Sequence, residues 1–414
     1  MSSKRAFVVV IDACGVGALP DASEYGDEGT NTLAHLAEAV GGLELPTLQA
    51  LGLGSILPLR GVSPAPSPAI HGRLHALGPG KDSTAGHWEL MGVVLERPLP
   101  TYPEGFPPEV IAGLTEAIGQ GLICNRPYNG IAAIDDYGAE HLRSGALIAY
   151  TSQDSVLQLA AHVERVPVEE LYRACASARQ AMSGEHAVGR IIARPFTGAP
   201  GAFERTDGRR DFALEPPGHS YLQAIHDMGI PVHAVGKIAD LFAGVGIDRS
   251  HPGATNARAL ASARGLLAEL DRGLVFVNLI ETDQVYGHRH DTTGFHAALR
   301  AIDAELASWL LELLREQDLL IVTADHGVDP THPQTDHTRE YAPLLALTGG
   351  MAARASRVTG RSAGDLRGGG TVGGGYGGTR HDGPLADVGA TVLWWLAGRD
   401  APDLPGESFL ATAS

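Results

Sequence analysis

Leu319-Leu320-Ile321-Val322-Thr323-Ala324-Asp325-His326-Gly327-Val328-Asp329-Pro330 is the stretch whose reading decides the fold. Its apolar start is too short for a helix and reads as a strand buried on both faces. Thr-Ala-Asp-His-Gly then places a carboxylate and an imidazole where the strand gives way to its loop. In open α/β sheets that edge, outside the carboxyl ends of the strands, is where ligands bind. The continuation Asp336-His337-Thr338-Arg339-Glu340 adds a second imidazole. Carboxylate and imidazole are ligands for divalent cations, so the segment reads as half of a two-metal site.

Working outward, the pattern returns twice. Residues 6–11, Ala-Phe-Val-Val-Val-Ile, run into Asp12. Residues 274–279, Leu-Val-Phe-Val-Asn-Leu, run into Ile280-Glu281-Thr282-Asp283-Gln284-Val285-Tyr286-Gly287-His288. Parallel strands bring their ends to one edge, so residues distant in sequence can meet there. Asp12, Asp325 and His326 could hold one cation, and Asp283, His288 and His337 a second beside it. Such a pair clamps the attacking and leaving oxygens of a phosphoryl transfer. Ligands without thiolate suit Mn²⁺, Zn²⁺ or Mg²⁺. One Asp at a strand end is more often a helix cap, and Asp-His-Gly alone is a common turn. Recurrence at equivalent positions favours ligation.

A nucleophile candidate lies in Lys81-Asp82-Ser83-Thr84-Ala85-Gly86-His87-Trp88-Glu89, which reads as a turn entering a helix. A hydroxyl at a helix N-terminus beside cations can be deprotonated near neutral pH and attack phosphorus. Ser83 fits, with Thr84 as its rival. The competing reading makes Ser83 a helix cap, with His87 and Glu89 on the helix surface.

Strands and helices alternate through the rest of the chain, which predicts an α/β fold with a mostly parallel sheet covered by helices. Helices are predicted near 30–39, 168–182, 221–228, 294–316 and 385–396, and further strands near 121–124, 146–150, 189–194, 231–235 and 344–347. The Pro/Gly-rich residues 57–80 and the glycine-rich run 368–378 read as loops. Proline clusters at 98–108 and 215–218 bracket an inserted section. The predicted division is a catalytic core of 1–97 and 218–414 and a smaller inserted domain of 98–217.

Composition limits the function. The 414 residues carry 31 Lys and Arg against 48 Asp and Glu, a net charge of −17. Such a chain is unsuited to nucleic acid or an anionic membrane, both of which need a basic surface. It can still take phosphorylated small molecules, because bound cations reverse the local sign. Three scattered cysteines, Cys14, Cys124 and Cys175, argue against a disulfide framework and for a reducing cytoplasm. No apolar run approaches the ~20 residues of a membrane span, and no secretory signal is read at the start of the sequence.

Together these motifs resemble the alkaline-phosphatase superfamily and, within it, the prokaryotic phosphopentomutases. The resemblance rests on residues 80–89, 281–289, 325–327 and 336–340. Inside the insertion it rests on Asn125-Arg126-Pro127-Tyr128, residues 150–156 and residues 189–196. It implies an alkaline-phosphatase-like core with an inserted cap, and interconversion of ribose 1-phosphate and ribose 5-phosphate, with the deoxyribose pair. It also implies two Mn²⁺ ions on the two ligand sets above, a phosphoryl group carried by Ser83, and a sugar bisphosphate such as glucose 1,6-bisphosphate as activator. Ser152, Asp154, Arg190, Arg205, Arg209 and Lys237 are the implied sugar and phosphate contacts. The sequence departs from the family in having Ser83 where Thr is usual, and in its long 368–378 run. Two alternatives stay open. One is a metal-dependent phosphomonoesterase on the same core, and the other is a non-catalytic sensor of metal or sugar phosphate.

Overall fold

The structure is a computed structural model that describes residues 3–152, 155–312, 314–353 and 376–410. In chain order its strands are β1 (Arg5–Ile11), β2 (Ile70–His75), β3 (Leu122–Pro127), β4 (Leu147–Thr151), β5 (Val156–His162), β6 (Arg190–Ala199), β7 (Ala202–Arg205), β8 (Arg210–Ala213), β9 (Val232–Val235), β10 (Arg249–His251), β11 (Gly273–Leu279), β12 (Asp318–Thr323), β13 (Ala342–Thr348) and β14 (Gly383–Pro384). The chain divides into two compact units. One comprises residues 1–96, 216–239 and 244–414, and the other comprises 97–215 with 240–243.

The first unit is built on an eight-stranded sheet in the order β10-β9-β11-β1-β12-β13-β2-β14. The five strands from β10 to β12 are parallel. Every residue of β1, β11 and β12 is buried, as their unbroken apolar runs require of a sheet covered on both faces. Ile11 pairs with Leu279, and Val10 with Thr323. The three strands therefore end level, and their following loops leave the sheet at one edge.

Arg5 at the start of β1 is fully buried. Its guanidinium donates to both carboxylate oxygens of Asp318, at 2.8 and 2.5 Å, and to the carbonyl of Leu267 at 2.6 Å. Burying that cation is tolerable because a planar fork meets a carboxylate two oxygens at a time.

Residues 57–80 are not all loop. Ile70–His75 forms β2, antiparallel to β13 with Leu74 opposite Ala342 and Ile70 opposite Ala346. Its sequence, Ile-His-Gly-Arg-Leu-His, has little strand propensity of its own, and the pairing imposes the conformation. The long helix spans Thr292–Glu312 rather than 294–316. His381, which the sequence gives no role, lies 2.7 Å from the buried Asp387 carboxylate and pins the start of the Asp387–Ala397 helix. The run 368–378 lies outside the described residues except at 376–378, where Tyr376 and Gly378 donate to the carbonyls of Ser67 and Pro68.

The second unit carries a six-stranded sheet, β3-β4-β5-β6-β7, with β8 also on β6. The helices Pro108–Ile118, Gly130–Ser144 and Val168–Ala181 belong to it. β6 does not stop at Pro195 but runs on to Ala199. Pro195 falls between the stretch paired with β8, which ends at Ala193, and the stretch paired with β7, which begins at Phe196. At that gap no antiparallel partner needs the missing N–H.

Candidate metal centre

The six residues singled out as ligands form two clusters in the first unit. Asp12, Asp325 and His326 are one, and Asp283, His288 and His337 the other; within each, the ligand atoms lie within 4.8 Å of one another. The rings of His326 and His337 are 4.2 Å apart, centroid to centroid, so the clusters are neighbours. Asp12 directly follows β1. Asp325 and His326 follow β12 by one residue. Asp283 sits in a wide π-helical turn, Thr282–Tyr286, beyond β11. Such turns recur at functional sites because the extra residue swings a side chain out of helical register.

Each carboxylate of the first cluster has one oxygen held and one left bare. Asp325 Oδ1 accepts from the backbone N–H of Ala13 at 3.2 Å and of His326 at 3.1 Å. Asp12 Oδ2 accepts from the Asn278 amide at 2.9 Å. Asp12 Oδ1, Asp325 Oδ2 and, in the second cluster, Asp283 Oδ1 are buried and receive no hydrogen bond among the described residues. Imidazole nitrogens approach these same atoms without hydrogen-bond alignment. His326 Nε2 is 3.4 Å from Asp12 Oδ1 and 3.2 Å from Asp325 Oδ2, and His288 Nε2 is 3.2 Å from Asp283 Oδ1. Bare buried anions are costly, and lone pairs converging on shared points are what co-ligands of a cation present.

The tautomers agree. The Nδ1 atoms of His326 and His288 face backbone carbonyls, of Gly327 at 3.0 Å and of Thr335. Each Nδ1 must therefore carry the proton in the neutral ring, which leaves the Nε2 lone pair for a cation.

The charges are strained without one. Burial, then Asp325 and Asp283, push the Asp12 carboxyl up from its ordinary range. Burial also works against the Asp325 carboxylate, but His326 and His87 hold its pKa well below the ordinary value. His326 is raised well above the usual imidazole value because Asp325 and Asp12 outweigh the opposite pull of burial. Asp283 is lowered against its burial by His337 and His288. His87 is raised against burial by Asp325, a pull that neutralising Asp325 relieves.

Ser83 opens the Ser83–Leu90 helix but does not cap it. The cap is Asp82, whose side chain accepts from the N–H groups of Thr84 and Ala85 at 2.9 and 3.1 Å. The Ser83 hydroxyl is thus released from capping and lies 3.1 Å from His326 Nε2, at the first cluster. Gly86 allows this approach, because a Cβ there would stand 2.4 Å from the Asp325 carbonyl oxygen. His87 and Glu89 are buried rather than on the helix surface. The turn is braced by Arg339, which donates to the Gly80 carbonyl at 2.8 Å and pairs with Asp21, and by Lys81, 3.0 Å from Asp27.

Three of the expected substrate residues are brought together in the second unit: Arg205 and Arg209 both act on Tyr150 and Arg194, and Arg190 and Arg209 on Asp211. Lys237 follows β9, at the edge of the first sheet where the Asp/His clusters lie. Ser152 follows β4, Arg190 opens β6, Arg205 closes β7, and Arg209 precedes β8, where it makes a two-oxygen pair with Asp211 at 2.8 Å. Asp154 lies outside the described residues. The sequence did not single out Arg194, whose side chain donates to Gln158 at 3.0 Å. Its pKa is pushed down to about 10 by burial and then by the nearby Arg209, a crowding of cations that suits an anion. Asn278 was also missed. A lone amide inside the apolar run 274–279 is its signal.

Two adjacent Asp/His clusters at the carboxyl edge of a mostly parallel, helix-covered sheet define an alkaline-phosphatase-like metalloenzyme. A family model described as the Metalloenzyme superfamily, part of the alkaline-phosphatase superfamily, matches residues 4–397. The phosphopentomutase of Carboxydothermus hydrogenoformans is 50% identical over 343 residues, covering 83% of this chain and 88% of that one. That of Anaeromyxobacter dehalogenans is 45% identical over 411 residues, 99% of each. A solved Leishmania mexicana phosphoglycerate mutase covers 98% of both chains at 14% identity, with a TM-score of 0.47. The chain belongs to the phosphopentomutase family, whose members are isomerases.

Proposed function

We propose that the chain interconverts ribose 1-phosphate and ribose 5-phosphate, and the 2-deoxyribose pair, through phosphorylated Ser83. The observation that carries this reading is the uncapped Ser83 hydroxyl 3.1 Å from His326 Nε2. Asp12, Asp325 and His326 would hold one divalent cation and Asp283, His288 and His337 a second, with Mn²⁺ the proposed metal. Bound there, the cations would supply charge neutralisation for the phosphoryl oxygens and for the Ser83 alkoxide.

The chain's own part follows from its geometry. Phospho-Ser83 gives its phosphoryl group to the 5-hydroxyl of ribose 1-phosphate; the new P–O bond forms as the Ser83 Oγ–P bond breaks, and the hydroxyl proton passes to Ser83 Oγ, which returns it to O1 in the second transfer. The ribose 1,5-bisphosphate turns round, and Ser83 Oγ takes the phosphoryl group from O1, which leaves ribose 5-phosphate. The helix N-terminus at Ser83 favours the added negative charge. Arg190, Arg205, Arg209, Lys237, Ser152 and Asp154 are assigned to the sugar and its resting phosphate, since a guanidinium fork binds two phosphate oxygens at once. A sugar bisphosphate such as glucose 1,6-bisphosphate would prime Ser83. The residues 98–217 are assigned to substrate recognition, and the cytoplasm is the proposed location; no helix among the described residues is long and apolar enough to cross a membrane.

Intact mass and peptide mapping after incubation with Mn²⁺ and glucose 1,6-bisphosphate test the nucleophile. One phosphoryl group on Ser83, absent from Ser83→Ala at unchanged metal content, is expected. An adduct on Thr84, or none on the wild-type chain, overturns the assignment.

A further inference from the structure

We infer that His87 and Asn278 form a positioning dyad that hydrogen-bonds Asp12, sets an imidazole against Asp325 and ties the Asp12–Asp325–His326 cluster to the turn carrying Ser83. The inference rests on reading that cluster as a cation site.

The hydrogen-bond chain has one sense only. His87 Nδ1 lies 2.8 Å from the Ser83 carbonyl and 3.0 Å from Asp325 Oδ2, both acceptors, so Nδ1 carries the proton. His87 Nε2 faces the Asn278 amide nitrogen at 3.2 Å, a donor, so Nε2 accepts. The same amide nitrogen donates its other proton to Asp12 Oδ2 at 2.9 Å. A flipped amide would set its oxygen against Asp12 Oδ2, so the order is fixed by donor and acceptor identity. His87 and Asn278 are both fully buried. Water therefore cannot substitute for either contact, and an isolated amide inside β11 is a costly residue to keep without partners. Asn278 points Asp12 Oδ1 at the cluster by occupying Oδ2. His87 bonds the first turn of the Ser83 helix and sets the same Nδ1 3.0 Å from Asp325 Oδ2. Ligand orientation and nucleophile position thus share one network, the kind of outer support that sets metal affinity.

The test is calorimetric titration of the metal-stripped full chain with Mn²⁺, together with its metal-free melting temperature. Asn278→Leu and His87→Phe preserve volume and remove the chain at different links. Each is expected to weaken Mn²⁺ at this cluster by about 10–100-fold. Because both act in one chain, the double variant is expected to lose less than the product of the single losses. A lowered melting temperature with Mn²⁺ affinity within about twofold of wild type, in whichever variant folds, overturns the inference and leaves only a packing role. Fully multiplicative losses in the double variant also overturn it. Asp12→Ala separates the two readings. If it weakens Mn²⁺ while both dyad variants do not, the dyad alone fails; if it leaves Mn²⁺ unchanged, the cation site and the dyad fail together.

Discussion

Binding of a cation at the Asp12–Asp325–His326 cluster should displace a proton, and its affinity should rise with pH. In the metal-free chain the His326 pKa stands well above its ordinary value, because Asp325 Oδ2 at 3.2 Å and Asp12 Oδ1 at 3.4 Å favour the imidazolium. A cation needs the Nε2 lone pair, so that proton must leave. From about pH 6.5, the ordinary imidazole value, up to the raised value, each pH unit should strengthen binding about tenfold, or ~1.4 kcal/mol. Above the raised value the dependence should flatten. The second cluster should add no proton from its carboxylate in this range, because Asp283 is held below the ordinary carboxylate value. The assay is Mn²⁺ titration by calorimetry at several pH values, each in two buffers of different ionisation enthalpy. Near pH 7 the observed heat should change with buffer by about one proton per first-site ion. Affinity independent of pH, with heats independent of buffer, would refute the reasoning.

The same group sets the stability of the metal-free protein. A raised folded-state pKa contributes stability that is present below the ordinary imidazole value and lost as pH rises through the raised one, so the melting temperature without metal should fall from pH 6.5 upward and be restored by Mn²⁺. A metal-free melting temperature that climbs over that range would contradict the assignment. Arg5→Ala should cost about 3–5 kcal/mol in denaturant unfolding, because it strands the buried Asp318 carboxylate; a loss below about 1 kcal/mol would mean that the pair is not needed. Gly86→Ala should cost about 1–3 kcal/mol of stability and also weaken Mn²⁺, since its Cβ would meet the Asp325 backbone; unchanged affinity would show the approach to be slack. Ser83→Ala should lower turnover by at least about 10³-fold, whereas Ser83→Thr, which keeps the hydroxyl, should stay within about tenfold of wild type; initial rates with ribose 1-phosphate would distinguish the two.

Much of this was legible in the sequence because burial on both faces leaves an unbroken apolar run, and a polar residue at the end of such a run is conspicuous. Asp12, Asp283 and Asp325-His326 stand out as candidates that way, and the level register of β1, β11 and β12 accounts for their convergence. β2 was not legible, because its conformation comes from pairing with β13 rather than from Ile-His-Gly-Arg-Leu-His itself. The extension of β6 past Pro195 was hidden because a proline rule depends on which edge lacks a partner. Ser83 stands out in the sequence only as a nucleophile candidate, and its distinction from a cap needs the Asp82 contacts. His87 and Asn278 lie on different elements, and no spacing in a linear sequence joins them.

On the proposed function, Ser83 passes its phosphoryl group to a sugar and not to water. Phosphorus NMR of the Mn²⁺-loaded chain with ribose 1-phosphate and a trace of glucose 1,6-bisphosphate tests it most directly. The ribose 1-phosphate signal should be replaced by ribose 5-phosphate with no accumulation of free phosphate. Free phosphate growing in step with ribose 1-phosphate loss would contradict it and make the chain a phosphomonoesterase.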